Sequence, residues 1–98
     1  MKAINLVFDD DYEDVSILLV PDNIADNINN IMHEFNKWLK IPQNSERFLV
    51  PHKGTMVLNI CSKEFLWWLN NCKIIDESKA IILDEHAKFC PNYPRADL

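Results

Sequence analysis

Ala3-Ile4-Asn5-Leu6-Val7-Phe8-Asp9-Asp10-Asp11-Tyr12-Glu13-Asp14-Val15-Ser16-Ile17-Leu18-Leu19-Val20 is the stretch that decides the fold. Two apolar segments, Ala3 to Phe8 and Val15 to Val20, flank a run with five carboxylates in six positions, Asp9 to Asp14. Segments of that length, rich in β-branched residues, suit strands, and so polar a connection reads as the turn of a β-hairpin. The same run sets the charge distribution. Residues 1–36 hold one base and eight acids, a net of −7, while residues 37–98 hold nine bases and seven acids, a net of +2. A field this uneven steers a positively charged partner and repels nucleic acid. The plainer reading is a solvated turn whose like charges discourage edge-to-edge aggregation.

Beyond Val20 the period changes. Pro21-Asp22 opens a helix with Asp22 or Asn23 as cap. Ile24, Ile28, Ile31, Met32, Phe35, Trp38 and Leu39 fall within about 120° of arc at about 100° per residue, so one amphipathic helix is expected from Asp22 until Pro42 stops it. Arg47 to Val50 and Thr55 to Ile60 read as two strands around a tight Lys53-Gly54 turn, with Gly54 taking a positive φ. Ser62 is expected to cap a second helix over Lys63 to about Asn71, with Phe65, Trp68, Leu69 and Cys72 facing the core. Lys73 to Ile75 and Lys79 to Leu83 read as a final strand pair around Asp76-Glu77-Ser78. The segment from Lys88 carries Pro91 and Pro94 and reads as an irregular tail packed on the body. Phe35-x-x-Trp38-Leu39 recurs as Phe65-x-x-Trp68-Leu69, two helices meeting one packing problem. The expected architecture is therefore α+β, a single domain over residues 1–98. It has a mainly antiparallel sheet of about five or six strands, with two amphipathic helices packed on one face.

Composition removes several functions. A 48% hydrophobic chain with three Trp and five Phe fills a real core. Gly54 is the only glycine, so neither a Walker A loop nor a GxGxxG fingerprint exists. Cys61, Cys72 and Cys90 are odd in number and lack CxxC spacing, which points to a reducing compartment, the cytoplasm. No apolar stretch approaches membrane-span length and no signal peptide is visible, so no membrane partner is expected. His33, His52, His86 and the cysteines are not at zinc spacing, and the acidic run lacks the alternation and central glycine of a calcium loop; neither metal nor cofactor is expected. A pI of about 5.0 and the lack of a basic stripe argue against direct nucleic-acid binding. Cys61, at a helix start, could act as a nucleophile if His52 or His86 lay beside it; a small residue at a strand end is the competing reading. Trp67 falls about 160° from the main face of its helix, either covered by Phe89 or Tyr93 of the tail or exposed as a partner anchor.

Val50-Pro51-His52-Lys53-Gly54, Ser62-Lys63-Glu64-Phe65, Trp68-Leu69-Asn70, Phe89-Cys90-Pro91-Asn92-Tyr93-Pro94 and Ala96-Asp97-Leu98 together resemble the small acidic immunity proteins of bacterial polymorphic toxin systems, of the contact-dependent growth inhibition type. The resemblance spans about residues 35–98. It implies a cytoplasmic, non-enzymatic protein that binds the C-terminal domain of a cognate toxin and blocks its active site or substrate path. The charge pattern agrees on separate grounds: a nuclease toxin needs a basic cleft, which Asp9, Asp10, Asp11, Glu13 and Asp14 would complement, with Tyr12 and Trp67 as apolar anchors. The competing expectations are an adaptor or assembly subunit that binds without inhibiting, and a small thiol enzyme built on Cys61.

Overall fold

The computed structural model describes residues 1–76 and 78–98. It is α+β: a four-stranded mixed sheet, a separate two-stranded ribbon and four α-helices. Strands β1 (Lys2–Val7) and β2 (Val15–Val20) form the expected antiparallel hairpin, with Lys2 opposite Val20 and Leu6 opposite Ser16. The acidic run is thus its connection. Ile4, Leu6, Leu18 and Val20 alternate onto one face and Val7, Val15 and Ile17 onto the other. All seven are buried, because both faces of this hairpin are covered.

The expected sheet of five or six strands is corrected to four plus two. The order is β5-β2-β1-β6. β5 (Ile81–Ala87) pairs antiparallel with β2, through register shifts at Ile17. β6 (Arg95–Asp97) pairs parallel with β1. The tail expected to be irregular therefore ends in a strand. Since β5 and β6 lie on opposite edges, residues 88–94 cross the sheet between them. They run over the face away from the helices, where Phe89 packs against the Val7, Val15 and Ile17 cluster.

The single long helix is corrected to two, α1 (Asp22–Asp26) and α2 (Ile28–Leu39). Asn27 breaks it. Its φ of −120° leaves the helical region, and its side-chain amide donates to the Asn23 carbonyl at 2.9 Å, closing α1. The apolar stripe survives the break: Ile24, Ile28, Ile31, Met32 and Phe35 are all buried. α2 ends before Pro42, which then opens the short helix α3 (Pro42–Ser45), where its missing N–H costs nothing.

α4 (Ser62–Trp68) is capped by Cys61 rather than Ser62, with the Glu64 carboxylate accepting from the Cys61 N–H at 2.9 Å. The helix then widens into a π-turn over Leu69–Lys73, closed by the Ile74 N–H on the Leu69 carbonyl at 2.7 Å. This turn replaces the strand expected at Lys73 to Ile75. The following segment docks on Asn70 instead, whose side-chain amide exchanges bonds of 3.0 and 2.8 Å with the backbone of Ala80. The expected turn at Asp76-Glu77-Ser78 includes Glu77, outside the described residues, and the last strand is shifted to Ile81–Ala87.

The two Phe-x-x-Trp motifs meet in the core. Phe35 of α2 lies 5.2 Å from both Phe65 and Trp68 of α4, ring centre to ring centre. Against them pack Ile4, Leu6, Leu18 and Val20 from the sheet.

Candidate partner-binding surface

The acidic loop folds without glycine. Asp9 and Asp10 both take positive φ, 51° and 57°. Aspartate tolerates this region because its short polar side chain can bond locally. The Asp11 N–H donates to the Phe8 carbonyl at 2.9 Å, and the Asp11 carboxylate accepts the Glu13 N–H at 3.0 Å, an Asx turn. The run of aspartates is therefore conformational as well as electrostatic.

The C-terminal third holds the loop from outside. Arg95 Nη2 lies 2.8 Å from Asp10 and 2.7 Å from Asp97, Nε also donates to Asp97, and Nη1 bonds the Tyr12 hydroxyl. The guanidinium also sits 4.9 Å from the centre of the Tyr12 ring. Phe89 meets the Tyr12 ring edge-on at 5.1 Å, and its N–H donates to the Tyr12 carbonyl at 2.8 Å. His86 Nδ1 contacts Asp14 at 2.9 Å, and Lys88 reaches Glu13 at 3.7 Å. The hydrogen bond and charge of Asp14 raise the His86 pKa above its ordinary 6.5.

The sequence treats these five acids as one equivalent patch. The fold divides them. Asp10, Glu13 and Asp14 each face a basic side chain, whereas Asp9 and Asp11 face none among the described residues. Tyr12 is a structural clamp that stays 42% exposed. No local signal identifies Arg95, His86 or Lys88 as the loop's partners, since all three arrive through strand pairing.

Trp67 lies elsewhere, half-buried on α4. The tail does not cover it. Trp38 at 6.1 Å, Phe48 at 5.8 Å and the Arg47 guanidinium at 4.5 Å do, and Phe89 is committed to the far face of the sheet. Sequence reasoning missed Phe48 and Arg47, because Arg47 to Val50 reads as strand whereas Glu46–Phe48 is a 3-10 turn that folds back on α4.

Cys61 and His86 border a common cleft of about 250 Å³ with Asp14, Lys63 and Glu85. The thiol is not activated. Burial pushes the Cys61 pKa up, and its Sγ lies 3.0 Å from the Glu64 carboxylate, which further opposes ionisation. His52 sits on the ribbon of β3 (Leu49–His52) and β4 (Thr55–Leu58). Among the described residues, no group of three or more His, Cys, Asp or Glu side chains is placed to hold a metal ion, and no helix is long and apolar enough to cross a membrane.

The ribbon carries a feature the sequence did not reveal. Val50, Met56, Val57 and Leu58, which a sheet would bury, are all exposed on it. Compared with protein families, curated proteins and solved structures, the chain matches none.

Proposed function

We propose that this chain is a non-enzymatic immunity protein that binds and neutralises a cognate toxin domain with a basic, phosphate-binding cleft, a nuclease, and does so in the cytoplasm. The observation that carries this reading is the set of contacts by which the C-terminal third holds the Asp9–Asp14 loop. The Phe89 N–H bonds the loop backbone at Tyr12, and Arg95 and His86 hold the Asp10, Tyr12 and Asp14 side chains, which leaves Asp9 and Asp11 without basic partners among the described residues in a strongly negative third of the chain. A preordered acidic loop loses little conformational freedom on binding, and its field accelerates encounter with a basic cleft. The protonated, Glu64-bound Cys61 thiol weighs against the thiol-enzyme alternative.

Asp9→Lys with Glu13→Lys is the discriminating variant. It moves the formal net charge from −5 to −1 and leaves Arg95 and His86 with their partners. Association with the toxin-domain product of the neighbouring gene is expected to slow about tenfold or more at low salt, with little change in dissociation. An unchanged association rate would sink the acidic-loop mechanism. Binding without protection of growth or inhibition of the toxin would identify an adaptor instead.

A further inference from the structure

We infer that the β3–β4 ribbon docks on the β5 edge of a second copy of this chain, reciprocally, forming a two-fold dimer. The ribbon is incomplete by itself. A two-stranded ribbon without a third strand or a helix against it is marginal in water, yet this one exposes apolar side chains along both strands. Its turn is closed at His52 and Thr55, so that pair exchanges ladder bonds and the next pair, Pro51 and Met56, directs its backbone groups outward. On β3 the outward N–H is missing because the residue is proline. On β4 the outward groups of Met56 and Leu58 have no backbone partner outside the ribbon among the described residues. β4 is the open edge.

The other open edge belongs to β5. It is the last strand on its side of the four-stranded sheet, and Ile81 and Leu83 stand exposed on it. Further along, the Asp84 carboxylate takes the His86 N–H at 2.9 Å and closes that end. Two short free edges therefore match in length, each with two apolar side chains on one face. They also match in charge. The ribbon from Leu49 to Leu58 carries Lys53 and no acid, whereas β5 carries Asp84 and Glu85. Like-to-like pairing of two ribbons or two β5 strands juxtaposes equal charges; ribbon-to-β5 pairing neutralises them. Pairing β4 with β5 sets Met56 and Leu58 beside Ile81 and Leu83 and satisfies both rows of backbone groups. Ile81 and Leu83 lie towards the end of β5 that faces Leu19, away from the acidic loop that His86 contacts at the other end, so failure of this pairing leaves the immunity reading standing, and the reverse.

Sedimentation velocity on the full chain tests the inference, with circular dichroism to show that each variant folds. The wild type is expected to dimerise below about 1 mM. Met56→Asp and Leu83→Lys are each expected to raise the dissociation constant about 100-fold, because each places a charge in the pairing face. Mixing the two variants is expected to restore the dimer: one contact then sets Asp against Lys and the other is wild type. A wild-type monomer throughout the range overturns the inference and leaves the ribbon to a different protein. A wild-type dimer that either variant leaves intact, or that the mixture fails to restore, overturns the β4-to-β5 pairing.

Discussion

Asn5 interrupts an otherwise apolar strand and is completely buried. Its side chain is fully used. Nδ2 donates to the carbonyls of Cys90 at 2.8 Å and Tyr93 at 3.1 Å, and Oδ1 accepts the Cys90 N–H at 2.9 Å. Residues 90–93 lie in no strand; the Tyr93 N–H closes a turn on the Cys90 carbonyl, and the Asn5 amide supplies the remaining partners that let the chain cross the sheet. Asn5→Leu keeps the volume and strands two backbone groups, the Cys90 N–H and the Tyr93 carbonyl, while the Cys90 carbonyl keeps the Tyr93 N–H at 3.1 Å. It is expected to cost about 2–3 kcal/mol, read as a lower urea midpoint. An unchanged midpoint would mean that water serves the crossover equally well. A second residue-scale prediction concerns His86. Its pKa is raised by Asp14 first and by Glu85 and Asp84 after, so the protonated ring is favoured in the folded state. The stabilisation from the pair is present below pH 6.5 and is lost as pH rises through the higher folded value. The His86 ring resonance in NMR should titrate above 6.5 in the wild type and move down towards it in Asp14→Asn. Equal midpoints in the two proteins would show that the contact does not persist in solution.

At the scale of elements, the ribbon shows where local chemistry suffices. Lys53 and Gly54 have φ of 49° and 80°, both positive, as a type I′ turn requires. The sequence points to this turn through Gly54, but not to the strain at Lys53. Asn-Gly suits the turn better, so Lys53→Asn is expected to stabilise the ribbon by about 0.5–1 kcal/mol, judged from the propensity range for such positions. Hydrogen exchange is the proper readout, with protection rising at the Val50 and Val57 amides, because within the chain and among the described residues these two strands form a sheet of their own. Uniform protection across the whole chain would instead show that the ribbon unfolds only with the rest. Elements marked by periodicity were legible: the β1–β2 hairpin, the apolar stripe over Ile24 to Leu39 and the helix after Cys61. The break at Asn27 was not, because the stripe runs through it unchanged and only the side-chain bond to Asn23 distinguishes it. β6 was hidden as well. Three residues after Pro94 carry no period, and their partner, β1, lies about 90 positions away in sequence.

Across the whole molecule, one sheet separates two unequal cores. The helix side unites residues from α1, α2, α4 and both strands of the hairpin around Phe35, Phe65 and Trp68. Among the described residues the crossover side holds Val7, Val15 and Ile17 as its buried apolar cluster, beside the buried Asn5 and roofed by Phe89, Ala3 and Ala87. The composition foretold the first core, since aromatic residues at helical spacing have to be buried somewhere. It could not foretell the second, which exists because β6 lies on the far edge and pulls the tail across. The candidate surface was legible to the same degree: its acids were evident, and the groups that order them were not, being delivered by that crossover. The asymmetry has a measurable consequence. Phe35 is fully buried among three other rings, so Phe35→Ala is expected to cost about 3–5 kcal/mol. That is a large share of the roughly 5–15 kcal/mol typical of a whole domain. Phe89 is half-buried, and Phe89→Ala is expected to cost about 1–2 kcal/mol, nearer the ordinary range for single substitutions. It should also release the loop, because Tyr12 loses its edge-on neighbour while Arg95 alone remains on the ring. Urea midpoints separate the two costs, and exchange at the Glu13 amide reports the loop. Equal losses for the two variants would mean that the crossover face carries as much of the stability as the helical one, and the division into a major and a minor core would be wrong.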